Sequence, residues 1–220
     1  MTKLNTSLPI DYSAVEKVFI PCACCGSKEF FPAFTGDRHG LGLQTVVCKT
    51  CGLIFTNPRP SPEWFEEFYS LHYRKFYESV EKPDSDYLLR DWVTGRHSRN
   101  AAFLEKYLPK VGKLFDIGCA EGTFMHEFIK RFKDWDVEGL EPSIDLSNFA
   151  RQHYSLSKVR TGSVRELNAF FKNHYDLITL NHVLEHMLNP GELLQEIHSL
   201  LRPNGILFVD VPDAEGVATV

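Results

Sequence analysis

From residue 111 onward the chain alternates short apolar runs with stretches whose apolar positions recur every three to four residues. Lys113 to Ile117, Trp135 to Glu141 and Lys158 to Val164 read as strands, and Glu121 to Phe132 and Ser143 to Tyr154 as the helices between them. Tyr175 to Asn181 is a near-continuous apolar run, the pattern of a central parallel strand covered on both faces. An amphipathic helix from Glu192 to Leu201, stopped by Arg202-Pro203-Asn204-Gly205, and a fifth strand from Gly205 to Pro212 extend the series. Such alternation predicts an α/β domain built on a parallel sheet. Nearer the N-terminus, Phe30 to Phe34 and Gln44 to Val47 suit a hairpin. Ser61-Pro62-Glu63 offers an N-cap, a first-turn proline and a dipole-favourable acid for a helix through about Val80. After a polar break at Glu81 to Ser85, a second helix is expected from about Asp86 to Tyr107, with Arg90, Arg96 and Arg99 on a solvated face.

The boundaries that follow are a small module at 1–60, a helical connector at 61–110 and an α/β domain at 111–220. With 220 residues, 43% of them hydrophobic, the chain has material for one α/β core plus the module. No run reaches transmembrane length, and no repeats or low-complexity tracts occur.

The most informative stretch is Asp116-Ile117-Gly118-Cys119-Ala120-Glu121-Gly122, where a strand runs into a turn and then a helix. Gly118 and Gly122 let the backbone approach a ligand, and the helix that follows points its N-terminal amides at the turn. A carboxylate beside this turn would repel a pyrophosphate, but it suits a ligand bearing an ammonium and a sulfonium. Ala120 also replaces the middle glycine of the dinucleotide fingerprint, so a nicotinamide or flavin site is the weaker reading.

The segment resembles the first motif of class I S-adenosylmethionine-dependent methyltransferases, Asp-x-Gly-x-Gly-x-Gly, with Ala120 at the middle glycine. Leu184-Glu185-His186 followed by a Pro-led helix, and Leu201-Arg202-Pro203-x-Gly205-x-Leu207, resemble the fourth and fifth motif regions of that family, so the similarity spans residues 111 to 213. The resemblance implies a Rossmann-like sheet and S-adenosylmethionine as cofactor. Asp116, Gly118, Cys119, Ala120 and Gly122 would form the binding turn. Glu141, closing the second strand, would accept the ribose hydroxyls. Where the family often has an Asp for the adenine amino group, this chain has Ser163, so the Ser163 hydroxyl or the Val164 amide would read the adenine edge; Ser163 is equally suited to cap the next helix. Asn181 would give a supporting contact.

His182 and His186 are the candidate general bases, His182 facing the acceptor at the end of the fourth strand. Together with Glu185 they also match a metallopeptidase pattern, which needs both histidines on one face of a regular helix; here the pentapeptide leaves a strand directly, and proteolysis is set aside.

Cys22-x-x-Cys25-Gly26 and Cys48-x-x-Cys51-Gly52 are two knuckles whose trailing glycines permit the tight turn that aims both sulfurs at one ion. Cys22, Cys25, Cys48 and Cys51 are thus expected to hold a structural Zn2+ in a small zinc ribbon, with Cys24 outside the set and Cys119 alone in the cofactor turn. Disulfides fit poorly with a chain that shows no signal peptide, so a cytoplasmic location is expected. Residues 1–60 hold six Lys/Arg against four Asp/Glu and the whole chain is at -5, which argues against nucleic acid as a partner. The segment Cys51-Gly-Leu-Ile-Phe-Thr-Asn57-Pro58-Arg59-Pro60-Ser-Pro resembles the junction of bacterial methyltransferases that carry an N-terminal zinc-binding domain, deoxysugar C-methyltransferases among them. That likeness implies a small-molecule acceptor of the sugar-nucleotide or secondary-metabolite kind.

Phe65, Phe68, Tyr69, His72, Tyr73, Phe76 and Tyr77 form an aromatic stripe suited to core packing, with a lid through Tyr73 as the sharper alternative. Class I sheets usually continue beyond the fifth strand, so a C-terminally incomplete sheet, with a fifth-strand edge open to pairing, is expected. The alternative to an enzyme is a non-catalytic module that binds cofactor or a partner chain.

Overall fold

A computed structural model describes residues 15–35, 43–72 and 91–213. These divide into two compact units: one holds residues 15–35 and 43–72 with Leu188–Gly191, the other the remainder.

The second unit is a five-stranded, fully parallel sheet. In chain order its strands are β6 (Val111–Ile117), β7 (Asp134–Glu141), β8 (Val159–Thr161), β9 (Tyr175–Asn181) and β10 (Leu201–Asp210), and in space they run β8-β7-β6-β9-β10. The order reverses between β6 and β9, and a crevice outside the carboxyl ends of the strands at such a switch is where open α/β sheets bind ligands. Helices α2 (Asp91–Leu104), α3 (Thr123–Arg131), α4 (Ile144–His153) and α5 (Pro190–Leu200) accompany the strands.

Period-two alternation sorts the strand residues between the two faces. Phe115, Ile117, Ile178 and Leu180 join the core that includes Leu193 and Ile197 of α5, whereas Leu114 and Leu177 join the core made by Ala101 and Leu104 of α2 and Phe124 and Phe128 of α3. Asp116, Thr179 and Asn181 continue the second set, so the polar ends of β6 and β9 lie on the same face as Leu114 and Leu177.

Several boundaries move from their expected places for local reasons. Helix α3 begins at Thr123 because Gly122, its N-cap, takes the left-handed conformation at φ 83°. Strand β10 starts at Leu201, opposite Tyr175, and resumes the ladder only at Ile206, opposite Leu177. The residues expected to separate helix from strand are therefore a bulge in the strand, with Asn204 at φ 64° and the Arg202 guanidinium on the Asp176 carboxylate at 3.0 Å. Ser143 caps α4, its hydroxyl accepting from the Leu146 amide.

In the first unit, β2 (Phe30–Thr35), β3 (Gln44–Cys48) and β4 (Ile54–Thr56) form an antiparallel sheet, and β1 (Lys17–Val18) pairs with β5 (Arg59–Pro60). Asn57 is buried between them: its Oδ1 accepts from the Ile20 amide at 3.1 Å and its Nδ2 donates to the Ile20 carbonyl at 3.2 Å, so one side chain replaces a backbone pairing. Helix α1 (Pro62–Glu67) is capped by Ser61 as expected and then widens into a single π turn, Phe68–His72. Trp64 stacks on Phe68 at 5.0 Å and Phe65 on Tyr69 at 6.3 Å. The rest of the aromatic stripe, Tyr73, Phe76 and Tyr77, the polar break at 81–85 and Arg90 lie outside the described residues. No helix among the described residues is long and apolar enough to cross a membrane.

Candidate functional site

Strand β6 delivers Asp116 to the carboxyl edge of the sheet, 1% exposed, directly beside Thr179 of β9. The Thr179 hydroxyl donates to Asp116 Oδ1 at 2.6 Å and Asn181 Nδ2 to the same oxygen at 3.2 Å. Burial pushes the Asp116 carboxyl up to about 7, against the pull of these two hydrogen bonds toward the ionised form. A cation placed beside it would complete the ionisation.

The turn after β6 is tightly specified. Gly118 sits at φ 69°, and a Cβ there would stand 2.6 Å from Val183 Cγ2. One at Gly122, at φ 83°, would stand 2.6 Å from Leu156 Cδ1 and 3.0 Å from Ala150 Cβ, so the third glycine of the motif also allows α3 to pack closely on α4. Ala120 is left-handed too, at φ 48°, so the alanine that replaces the family glycine carries backbone strain.

Glu141 closes β7 and is 6% exposed. Its Oε2 accepts from the Ala120 amide at 2.9 Å and its Oε1 from the Ser143 amide at 2.9 Å, so the carboxylate braces the glycine turn from the neighbouring strand.

The remaining candidates fall into place unevenly. Cys119 packs its side chain with the apolar cluster of Met125, Ala150, Leu156 and Val159 while its thiol donates to the Ala120 carbonyl of the turn at 4.0 Å, and burial pushes that thiol well above the ordinary range. Ser163 is half-buried and caps the 3-10 turn Val164–Ala169; its hydroxyl accepts from the Arg165 amide at 3.3 Å, and Glu166 returns a bond to the Ser163 amide at 2.9 Å, a capping box. Val164 is half-buried beside it.

His182 follows β9 directly in the left-handed region, φ 54°, with its amide donating to the Asp210 carbonyl at 2.8 Å. A non-glycine residue held there marks a geometry fixed by its surroundings. Its Nδ1 lies 3.5 Å from Glu185 Oε1 and its Nε2 4.0 Å from Asp210 Oδ2. Burial, helped by Arg96 and opposed by Asp210, lowers its proton affinity, and burial pushes His186 down to about 4, so both imidazoles are neutral at pH 7. His186 lies in the 3-10 turn Leu184–His186, so the two histidines do not share a regular helix face, as a metallopeptidase would require.

Four residues of this edge escaped the sequence reading: Thr179, Asp210, Asn100 and Arg96. A threonine inside an apolar run and an aspartate closing the fifth strand were the available signals. Arg96, expected on a solvated face, instead turns its Nε inward, buried without a hydrogen bond and 3.9 Å from Asp210 Oδ2. Asn100 carried no signal, because its partners are 81 and 110 positions away.

The methyltransferase domain model matches residues 89–219, more than half of the chain. The chain belongs to the methyltransferase domain family. It is a class I S-adenosylmethionine-dependent methyltransferase domain with a Rossmann-like parallel sheet. Similar proteins include an uncharacterized methyltransferase of Schizosaccharomyces pombe, 30% identical over 116 residues (48% of this chain, 41% of the relative), and a ubiquinone biosynthesis O-methyltransferase of Glaesserella parasuis, 30% identical over 105 residues (44% of each). The matched part thus spans less than half the length of those relatives. A solved S-adenosylmethionine-dependent methyltransferase from Archaeoglobus fulgidus is 21% identical, with 60% of each chain covered and a TM-score of 0.46.

The first unit holds a second candidate site. Cys22, Cys25, Cys48 and Cys51 bring their sulfurs within 4.8 Å of one another, with Cys22 to Cys51 and Cys25 to Cys48 at 3.5 Å. Each knuckle closes through its glycine: the Gly26 amide donates to the Cys22 carbonyl and the Gly52 amide to the Cys48 carbonyl, with φ of 74° and 77°. Four thiolates around a tetrahedral zinc, at Zn–S of about 2.3 Å, have sulfurs roughly 3.8 Å apart, so this donor set fits the ion. Cys24 is exposed and does not belong to the cluster.

Proposed function

We propose that the protein transfers a methyl group from S-adenosylmethionine to a small-molecule acceptor, a sugar nucleotide or secondary metabolite, and that its four-cysteine unit holds a structural zinc ion. The reading rests on two buried carboxylates, Asp116 and Glu141, that close adjacent parallel strands on either side of the Gly118–Gly122 turn. Acids at these places suit a ligand with a cationic head and a ribose, and repel a pyrophosphate.

S-adenosylmethionine supplies an electrophilic methyl on a sulfonium. Glu141, at the end of β7, would accept the ribose hydroxyls, the Ser163 hydroxyl or Val164 amide would face the adenine edge, and Asp116 would set the negative potential that favours the cationic end. Asn181 acts through Asp116. The acceptor would lie at the ends of β9 and β10, where neutral His182 can take the proton of a hydroxyl or amine as the new bond to carbon forms. Most of the acceleration then comes from holding acceptor and methyl in near-attack geometry, with the base adding its share when the acceptor arrives protonated.

Titration calorimetry with S-adenosylmethionine, and then with its demethylated product, tests the cofactor site; methyl transfer to a panel of sugar nucleotides and phenols tests the acceptor class. Binding without transfer to any acceptor would favour a non-catalytic module. Binding of a dinucleotide in place of either ligand would overturn the cofactor assignment.

A further inference from the structure

A hydrogen-bonded chain runs along the carboxyl edge of the sheet and onto helix α2. Asn100 Nδ2 donates to Asp210 Oδ2 at 2.8 Å and approaches Asn181 Oδ1 at 3.4 Å; Asn181 Nδ2 donates to Asp116 Oδ1 at 3.2 Å. Asp210 and Asn181 are register partners on β10 and β9, and Asp116 is the register partner of Thr179 on β6. An ionised carboxylate only accepts, so the two acids at the ends of this chain dictate the direction of every bond between them. Asp210 fixes the amino group of Asn100, and that amino group faces the oxygen of Asn181. The amino group of Asn181 is thereby left for Asp116. A flipped Asn181 would set its oxygen against the Asp116 carboxylate and its amino group against that of Asn100, repulsive at both ends.

We propose that Asn100 is a positioning residue of the cofactor site, acting through Asn181 to keep a hydrogen-bond donor on Asp116. The consequence for S-adenosylmethionine rests on the function proposed above; the effect on Asp116 does not. The other titratable groups around this edge include Cys119 in the turn, whose thiol feels Asp116, Glu141 and Glu121, and His182, His97, Arg96 and Glu185 near Asp210. Phe124 of α3 meets His97 edge-on at 6.0 Å and brings no charge. Thr179, the other donor to Asp116, is independent of Asn100.

The test is a 13C titration of the Asp116 side-chain carboxyl by NMR in the ligand-free protein. In Asn100→Leu, which removes the donor at nearly constant volume, the midpoint should rise by about half a pH unit, because a donor to the charged form has been released. A folded variant with an unmoved midpoint overturns the proposal. A second reading needs no variant: in the unaltered protein the Asn181 side-chain NH2 resonances should move with the Asp116 titration, and an indifferent Asn181 would mean that its oxygen faces Asp116, which is equally fatal. Calorimetry separates this inference from the proposed function. S-adenosylmethionine should bind Asn100→Leu about three- to tenfold more weakly than the unaltered chain. If the unaltered chain does not bind it while the carboxyl midpoint still moves, the cofactor reading fails and the positioning role stands.

Discussion

The two units of this chain are held together by different means. The sheet unit buries Phe115, Ile117, Leu177 and Ile178 against helices on both faces, so its strands are fixed by apolar area removed from water. The four-cysteine unit leaves Phe31, Phe34 and Ile54 more than half exposed, and its buried residues include Cys22, Cys48, Val46 and Asn57. Two of those four are thiols of the cluster itself. A module this small, with a core so thin, is the kind that cross-linking through the proposed zinc ion would stabilise, whereas the sheet has an apolar core of its own.

The sharpest way to break that contrast is to remove the metal. A structural zinc contributes on the order of 10 kcal/mol to such a module. Chelation, or Cys48→Ser, should therefore abolish hydrogen-exchange protection over β3 and β4 while leaving β6 and β9 protected, and the protein as prepared should carry one zinc per chain by elemental analysis. Cys24→Ser should change neither. Protection of Gln44–Cys48 that survives chelation would show that this unit folds on packing alone.

Within the sheet unit the largest loss is expected at Glu141. Glu141→Ala removes acceptors from the Ala120 and Ser143 amides as well as the proposed ribose contact. Hydrogen bonds to a charged group are worth about 1.5 to 3 kcal/mol each, so S-adenosylmethionine affinity should fall by about a hundredfold, with a lower melting temperature beside it. Ser163→Ala should cost only about 1 kcal/mol of stability, the size of a lost cap. Equal effects from the two would dissolve the distinction between a brace of the turn and a local cap.

The pH dependence follows from Asp116. In the empty site its carboxyl titrates at about 7 because it is buried, and the ionised form attracts a cationic ligand. Protonation as the pH falls through 7 removes that attraction, so S-adenosylmethionine should bind about tenfold more weakly at pH 6 than at pH 8. His182, whose proton affinity is lowered, would as the proposed base affect turnover rather than this binding curve. His182→Ala should depress methyl transfer by about a hundredfold for a hydroxyl or amine acceptor and leave cofactor affinity unchanged, measured by calorimetry and initial rates.

What the sequence made legible divides along similar lines. The positions of Asp116, Glu141 and the four cysteines could be read because short-range spacing fixes them: a strand end, a turn, a knuckle. The glycines at 118 and 122 were readable as permissive positions, though not the packing of Gly122 on Ala150 and Leu156, which depends on where α4 lies. Arg96 was misassigned because an arginine on an amphipathic helix looks solvated until its partner Asp210 is folded beside it. Cys119 was readable as part of the turn, but the packing of its side chain with Met125, Ala150, Leu156 and Val159 was not, because it depends on where α3 and α4 lie. The bulge in β10 hid behind Pro203-Asn204-Gly205, residues that ordinarily end an element and here only displace the chain from its ladder.

The smallest predicted effect returns to Ala120. An L-residue in the left-handed region is disfavoured by roughly 1 to 2 kcal/mol, whereas glycine occupies it freely. The unfolded chain pulls the other way, because glycine has more conformational entropy to lose on folding, roughly 0.5 to 1 kcal/mol. Relief of strain exceeds that entropy, so Ala120→Gly should stabilise the protein by about 0.5 to 1 kcal/mol and raise its melting temperature by a few degrees. The bond from the Ala120 amide to Glu141 is made by the backbone and survives the substitution. Cofactor affinity should then stay within about twofold, because the amides that line the turn keep their direction. A loss of stability in this variant would mean that the methyl group at 120 is held by packing that outweighs its torsional strain, and that the turn is shaped by contacts rather than by backbone preference.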